Sequence, residues 1–442
     1  MNVALRSLCT CALTLTLAVA GHAAPKNIIF MLADGMGYNH IDAASMYRYG
    51  DVHQQVYWTF THMPVSTYSA NNKEGYNSEK AWEDFKYFLR VPTDSAASAT
   101  TLSTGVKTMN GRIGQDPDGE PLRHIIEDAE TMGKATGVLS TVMFAHASPA
   151  SFVTHHVTRK DYEAIAKKMI SDSAVDLIIG AGHPHYDNDA KRIGSDEEPD
   201  YRYVGGEEVW TALQAGKTFA DADGDGHGDA WTLVDSTDDL IALADGETPE
   251  RVLGVLPVRA TLQVDRGGED KNGPYETPLN SGVPTMADLM LSALNVLDDD
   301  PDGFFLMAEG GAVDWASHGN QPGRLIEEQV DFDKAIEAAI DWVNKNSSWE
   351  ETALFITGDH ECGYLTGPES GEDWKPLVNN GKGKLPGMEF HSTGHTNQLL
   401  PVFAKGAGTE ALTDKVRGAD MRHGAFIDNT DINAVMRSLW GL

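Results

Sequence analysis

The sequence predicts an α/β protein, a three-layer α/β/α sandwich around a large, mostly parallel central sheet. Three observations carry that prediction. Short apolar runs rich in β-branched residues, of the kind buried parallel strands show, recur at Asn27–Ala33, Thr136–Val142, Val175–Gly180, Gly303–Ala308, Ala353–Thr357 and Leu400–Ala404. Stretches of helical periodicity separate most of them, at Pro121–Met132, Lys160–Ser171, Thr285–Leu297 and Gln321–Asn344. In the last of these Ile326, Val330, Ile336, Ile340 and Val343 approximate one apolar face. The third observation is size, since 442 residues with 41% apolar content can fill a large core. A binding peptide or a disordered regulator would need far less.

Along the chain, Arg6 precedes the apolar run Leu8–Ala20, and Gly21-His22-Ala23 supplies the small residues of a cleavage site. Residues 1–23 are therefore expected to be a signal peptide, with a periplasmic or secreted protein beyond it. The run is too short to span a membrane, and no later run approaches about 18 apolar residues, so no membrane partner is expected. Cys9 and Cys11 fall inside this segment and leave Cys362 alone, which excludes an intrachain disulfide in the mature protein. Cys362 reads as a small buried residue. No repeat or linker divides residues 24–442, which read as one catalytic domain. Polar, turn-rich stretches at His183–Gly206, Asp265–Gly282 and Gly363–Ser392 suggest surface insertions at about 183–282 and 363–392. Lys and Arg total 34 against 66 Asp and Glu, a net charge of −32, which opposes non-specific binding to nucleic acid.

In open α/β sheets ligands gather beyond the carboxyl ends of strands, so the residues after each apolar run are the informative ones. Asn27–Ala33 ends in Asp34-Gly35-Met36-Gly37, Gly303–Ala308 in Glu309-Gly310-Gly311 and then Asp314, and Ala353–Thr357 in Gly358-Asp359-His360. One such acid alone reads as a helix cap; three strand ends together read as a metal site. Asp314 and His318 stand one helical turn apart, as a surface pair or as two ligands of one ion, and His395 offers a further imidazole. Asp and His ligands suit a catalytic zinc, whereas Asp34, Glu309 and a hydroxyl suit magnesium. Ser95, in Thr93-Asp94-Ser95-Ala96-Ala97, opens a helix, either as a plain capping residue or as a nucleophile at a site that favours alkoxide and phosphate oxygens. No Gly-x-Ser-x-Gly surrounds it, which favours activation by metal. Asp221, Asp223, Asp225 and Asp229 alternate as in a calcium loop, although Thr232 stands where the loop needs Glu; an acidic hairpin turn is the competing account.

These motifs in this order, with His146-Ala147-Ser148-Pro149 and Arg159 added, resemble the zinc-dependent, secreted bacterial alkaline phosphatases over nearly the whole mature chain. The resemblance implies hydrolysis of phosphate monoesters of broad specificity through a phosphoserine at Ser95. It implies one zinc on Asp314, His318 and His395, a second on Asp34, Asp359 and His360, and one magnesium on Asp34, Ser148 and Glu309. It further implies that Arg159 clamps phosphate, that Asp94 orients Arg159, and that the protein is a homodimer. His146 and Trp315 stand where some bacterial members carry Asp and Lys, and resemble the marine branch of the family; both are expected beside the substrate, with core packing the alternative for Trp315. A phosphodiesterase or sulfatase of the same superfamily, or a non-enzymatic phosphate- or metal-binding protein, are the other readings. Ser95-Ala96-Ala97 lacks the sulfatase pattern, and Ser148 with Glu309 disfavours a diesterase.

Overall fold

A computed structural model describes residues 24–219, 228 and 230–442. The expected signal peptide, residues 1–23, and the acidic loop with Asp221, Asp223, Asp225 and Asp229 lie outside the described residues. The first strand, β1 (Asn27–Ala33), is buried at every position, as a strand covered on both faces must be. Ile28, Phe30 and Leu32 enter one core cluster and Ile29, Met31 and Ala33 the other, because successive side chains point to opposite faces. The strands that follow are β2 (Thr61–Ser66), β3 (Ala135–Met143), β4 (Leu177–Ala181), β5 (Thr232–Val234), β6 (Val252–Val255), β7 (Phe304–Gly310) and β8 (Thr352–Gly358). Beyond them come the two-residue strands β9 (Glu361–Cys362), β10 (Leu365–Thr366), β11 (Glu389–Phe390) and β12 (His395–Thr396). The last are β13 (Leu400–Lys405), β14 (Gly418–Asp420) and β15 (Gly424–Asp428).

Among the described residues the main sheet has eleven strands in the order β14-β15-β2-β13-β8-β1-β7-β3-β4-β6-β5. Every pairing from β8 to β5 is parallel, whereas β13 runs antiparallel to both β8 and β2. One face is covered by helices that include Ser95–Thr104, Ala147–Val153, Tyr162–Ser171 and Asn429–Leu439, the other by Met286–Leu297 and Pro322–Asn346. This is the expected sandwich with a mostly parallel sheet.

The six strands marked by apolar runs form within one or two residues of their expected bounds. β2 was hidden because it reads Thr-His-Met-Pro-Val-Ser. Its Pro64 is tolerated because it faces Pro401 of β13, at a pair of an antiparallel ladder that exchanges no hydrogen bond. The stretch 183–282, expected as a surface insertion, also contributes β5 and the fully buried β6 to one edge of the sheet. Val252-Leu253-Gly254-Val255 is too short a run to stand out in the sequence.

The site is a consequence of register. Ala33 at the end of β1 pairs with Gly310 of β7 on one side and Gly358 of β8 on the other, so Asp34 and Asp359 leave neighbouring strands at the same level while Glu309 sits two residues below. Gly35 then turns the chain with φ +81°, and a Cβ added there would lie 2.6 Å from the Asp314 Cα. Gly35→Ala is therefore expected to lose roughly 1–3 kcal/mol in urea unfolding and to disturb Asp34 and Asp314 together. Wild-type stability in that variant would mean that this turn can move aside.

Candidate active site

Asp94 caps the helix Ser95–Thr104, its Oδ1 accepting the Ala97 N–H at 3.0 Å. Ser95 is thereby the first helical residue, and the small Ala96 and Ala99 let this helix sit tightly on the core. The buried Ser95 Oγ lies 3.2 Å from His360 Nε2 and 3.5 Å from Asp34 Oδ1. His360 Nε2 is also 3.4 Å from Asp34 Oδ1 and 3.2 Å from Asp359 Oδ2. All three of these residues are fully buried. Burial, with His395 beside it, drives the His360 imidazole well below its usual basicity. Burial likewise holds the Asp359 carboxyl up at about 6, and Asp34, which also faces Asp359, Asp314 and Glu309, well above the carboxylate range. One neutral imidazole among crowded carboxylates is the donor set of a cation site.

A second group adjoins the first. The short helix Val313–His318 sets Asp314 and His318 on one face, and the β9–β12 ladder brings in His395 opposite Cys362. His318 Nε2 is 3.2 Å from Asp314 Oδ2, His395 Nε2 is 3.4 Å from Asp314 Oδ1, and the two Nε2 atoms are 3.1 Å apart. His318 Nδ1 donates to the Thr393 carbonyl at 2.5 Å and His395 Nδ1 to the Thr93 carbonyl at 2.9 Å. Those bonds fix the tautomers, so both Nε2 lone pairs converge with a carboxylate on one point that only a cation can fill. The hydrogen bond to Asp314 outweighs burial and holds His318 up at about 9. Hydrogen bonds from the two histidines overcome the effect of burial and keep Asp314 well below the usual range. Cys362 also lies among these atoms, but burial raises its thiol so far that it stays neutral, in keeping with a small buried residue.

The third group is made of oxygens. Asp34 Oδ2 and Glu309 Oε1 are buried without a hydrogen-bond partner, and the Ser140 hydroxyl donates to Glu309 Oε2. Burial lifts Glu309 to about 7, although the Ser140 and Ser148 hydroxyls favour its charge. Such oxygen donors suit a hard cation.

Across the site, Arg159 Nη1 donates to Asp94 Oδ2 at 3.1 Å, and Arg159 Nη2 donates to His146 Nε2 at 3.3 Å. Burial and Arg159 lower His146 to about 3, so its ring is neutral. The ring stands edge-on to Trp315, with centroids 5.7 Å apart. Ser95, His146, Arg159, Asp314, Trp315, His318 and His395 line one cleft of about 620 Å³, with Val264, Asp265 and Gln321 on its outer wall. Ser148 lies beneath it, on the helix that follows His146. Sequence reasoning missed Glu361, which accepts the Thr396 hydroxyl at 2.6 Å and the Leu365 N–H at 2.9 Å, and so ties down the strand that carries His395. Glu361 follows Asp359-His360 directly in the sequence, where a second acid reads as an exposed charge.

A large, mostly parallel sheet with clustered ligand groups at its strand ends and a serine at a helix start could support metal-assisted hydrolysis. The family model described as alkaline phosphatase matches residues 25–388. Alkaline phosphatase of Escherichia coli strain K12 is 30% identical over 435 residues, spanning 88% of this chain and 83% of that protein. Alkaline phosphatase 4 of Bacillus subtilis strain 168 is 27% identical over 406 residues, spanning 89% and 74%. The solved alkaline phosphatase from the Antarctic bacterium TAB5 shares the fold with a TM-score of 0.64 at 24% identity, covering 94% of this chain and 98% of that one. The chain belongs to the alkaline phosphatase family, whose members are phosphomonoester hydrolases.

A metal bound by these donors would have to displace protons from His318, Glu309 and Asp359, which hold them up to about 9, 7 and 6. Protons compete below each of those values and cease to compete above them. Apparent zinc affinity is therefore expected to climb from pH 6 and level off near pH 9. Competition titration with a chromogenic chelator across that range checks this, and a flat profile contradicts the assignment of His318 as a ligand.

Proposed function

We propose that this chain hydrolyses phosphate monoesters of broad specificity to an alcohol and inorganic phosphate through a phosphoserine on Ser95. The observation that carries the reading is the Ser95 hydroxyl itself, held at a helix start between His360 Nε2 and Asp34 Oδ1 and opening on the cleft that Arg159 lines. The donor sets fit the expected ions. Asp314, His318 and His395 would hold one zinc, Asp34, Asp359 and His360 a second, and Asp34, Ser148 and Glu309 a magnesium. When bound, zinc supplies Lewis acidity that favours a serine alkoxide and neutralises a departing one.

The chain's own residues do the rest. The N–H groups at the start of the Ser95–Thr104 helix favour negative charge on the hydroxyl and on phosphate oxygens. Arg159 presents a planar fork that matches two of those oxygens, and Asp94 holds it in place with one carboxylate oxygen. His146 accepts from the other arm of the fork, so it sets the angle of the guanidinium as well as lining the cleft. Attack by Ser95 Oγ on phosphorus expels the alcohol, and attack by water then breaks the Ser95 Oγ–phosphorus bond to release inorganic phosphate; two in-line displacements give retention at phosphorus. A chain of net charge −32 repels phosphate esters except where Arg159 and bound cations reverse the field.

No helix among the described residues is long and apolar enough to cross a membrane. A periplasmic or secreted homodimer is the setting this reading expects.

Cleavage of an aryl phosphate, with and without a chelator, tests the function. Ser95→Ala is expected to lower turnover by several orders of magnitude at unchanged zinc content, and near-normal turnover would remove Ser95 from its role. Trp315→Lys adds a cation to the cleft that holds Arg159, so the inhibition constant for inorganic phosphate should fall and maximal turnover with it, as product leaves more slowly. An unchanged inhibition constant would leave Trp315 a packing residue.

A further inference from the structure

Outside the catalytic cleft, His124, Glu127 and His155 bring one ligand atom each to within 4.8 Å of one another. His124 caps the helix Ile125–Thr131, and Glu127 reaches back to accept the His124 backbone N–H at 2.7 Å. The His124 ring is fully buried, and neither of its nitrogens has a hydrogen-bond partner. A buried imidazole with nothing on either nitrogen is the exception among polar side chains and calls for a missing partner. Gly114 packs beside Nε2, so closely that a Cβ added to it would lie 2.5 Å from that atom. Nδ1 faces Glu127 Oε2 at 3.4 Å. The His155 ring stacks on His124 with centroids 4.3 Å apart. His155 donates from Nε2 to the Leu122 carbonyl at 2.8 Å, which leaves its Nδ1 as a lone-pair nitrogen.

We propose that His124, Glu127 and His155 bind one zinc ion, separate from the ions of the catalytic cleft. Two imidazoles and one carboxylate are zinc ligands, and nitrogen donors disfavour magnesium and calcium. A cavity of about 420 Å³ lined by Glu127 and His155, though not by the buried His124, opens beside the group. The neighbouring cation Arg437 is engaged by Asp128 at 2.8 Å, so it does not neutralise Glu127. Burial and the positive neighbours keep His124 unprotonated, the form a ligand needs.

The test is zinc content of the full chain, measured by mass spectrometry of metals after equilibration in buffered zinc, for wild type, Glu127→Gln, His155→Ala and Asp314→Ala. Glutamine at 127 retains the capping interaction, so the helix start survives while the anionic ligand is lost. Glu127→Gln and His155→Ala are each expected to lose one zinc equivalent while keeping aryl phosphatase activity. Asp314→Ala should lose catalytic zinc independently, with additive loss in the double variant Asp314→Ala/Glu127→Gln. Wild-type zinc content in both Glu127→Gln and His155→Ala overturns the proposal. A failure of the catalytic assignment is a separate outcome, in which Asp314→Ala keeps its zinc.

Discussion

The repulsion among Asp34, Glu309, Asp314 and Asp359 is the interaction around which this fold is arranged. Parallel register carries Asp34, Glu309 and Asp359 into a fully buried space, and in a poorly polarisable interior each charge raises the cost of the next. An isolated chain would avoid such an arrangement. It persists because the surrounding sheet is covered on both faces by apolar helices, whose burial over many strands outweighs local electrostatic strain. On the proposed reading, bound cations would relieve this crowding, and their binding free energy would become folding free energy at the strand ends.

Several small devices keep the convergence in order. Gly35 lets the turn after β1 pass over Asp314. Backbone carbonyls at Thr93 and Thr393 choose the tautomers of His395 and His318, which no side-chain motif would reveal. His360 and His395 stack with ring centroids 3.5 Å apart, so the ligands of the two proposed zinc sites share one wall. A shift of β12 would therefore be felt at both.

Much of this was legible in the sequence because parallel strands buried on both faces must be continuously apolar, and the first polar residue after each run marks the functional edge. Asp34, Glu309 and Asp359 stood out on that ground alone. β2 did not, since Pro64 interrupts it, and β6 did not, since four residues carry too little pattern. Glu361 was invisible because charge in a sequence says nothing of burial. His124 and His155 lie far apart in the chain, and their meeting depends on how one helix start packs against the segment after Ala147–Val153. Tertiary contacts of that kind have no local spacing to read.

Asp94 uses its two oxygens for different masters. Oδ1 caps the helix that begins with Ser95, while Oδ2 receives both the Gly111 N–H and the Arg159 guanidinium. One rigid carboxylate plane therefore fixes the distance between the helix start that carries Ser95 and the Arg159 guanidinium, much as a gauge block sets a gap. An amide in its place has one acceptor oxygen instead of two, and could serve the helix or the clamp but never both. On the proposed mechanism, the spacing of attacker and target is in this way inherited from the dimensions of a single functional group.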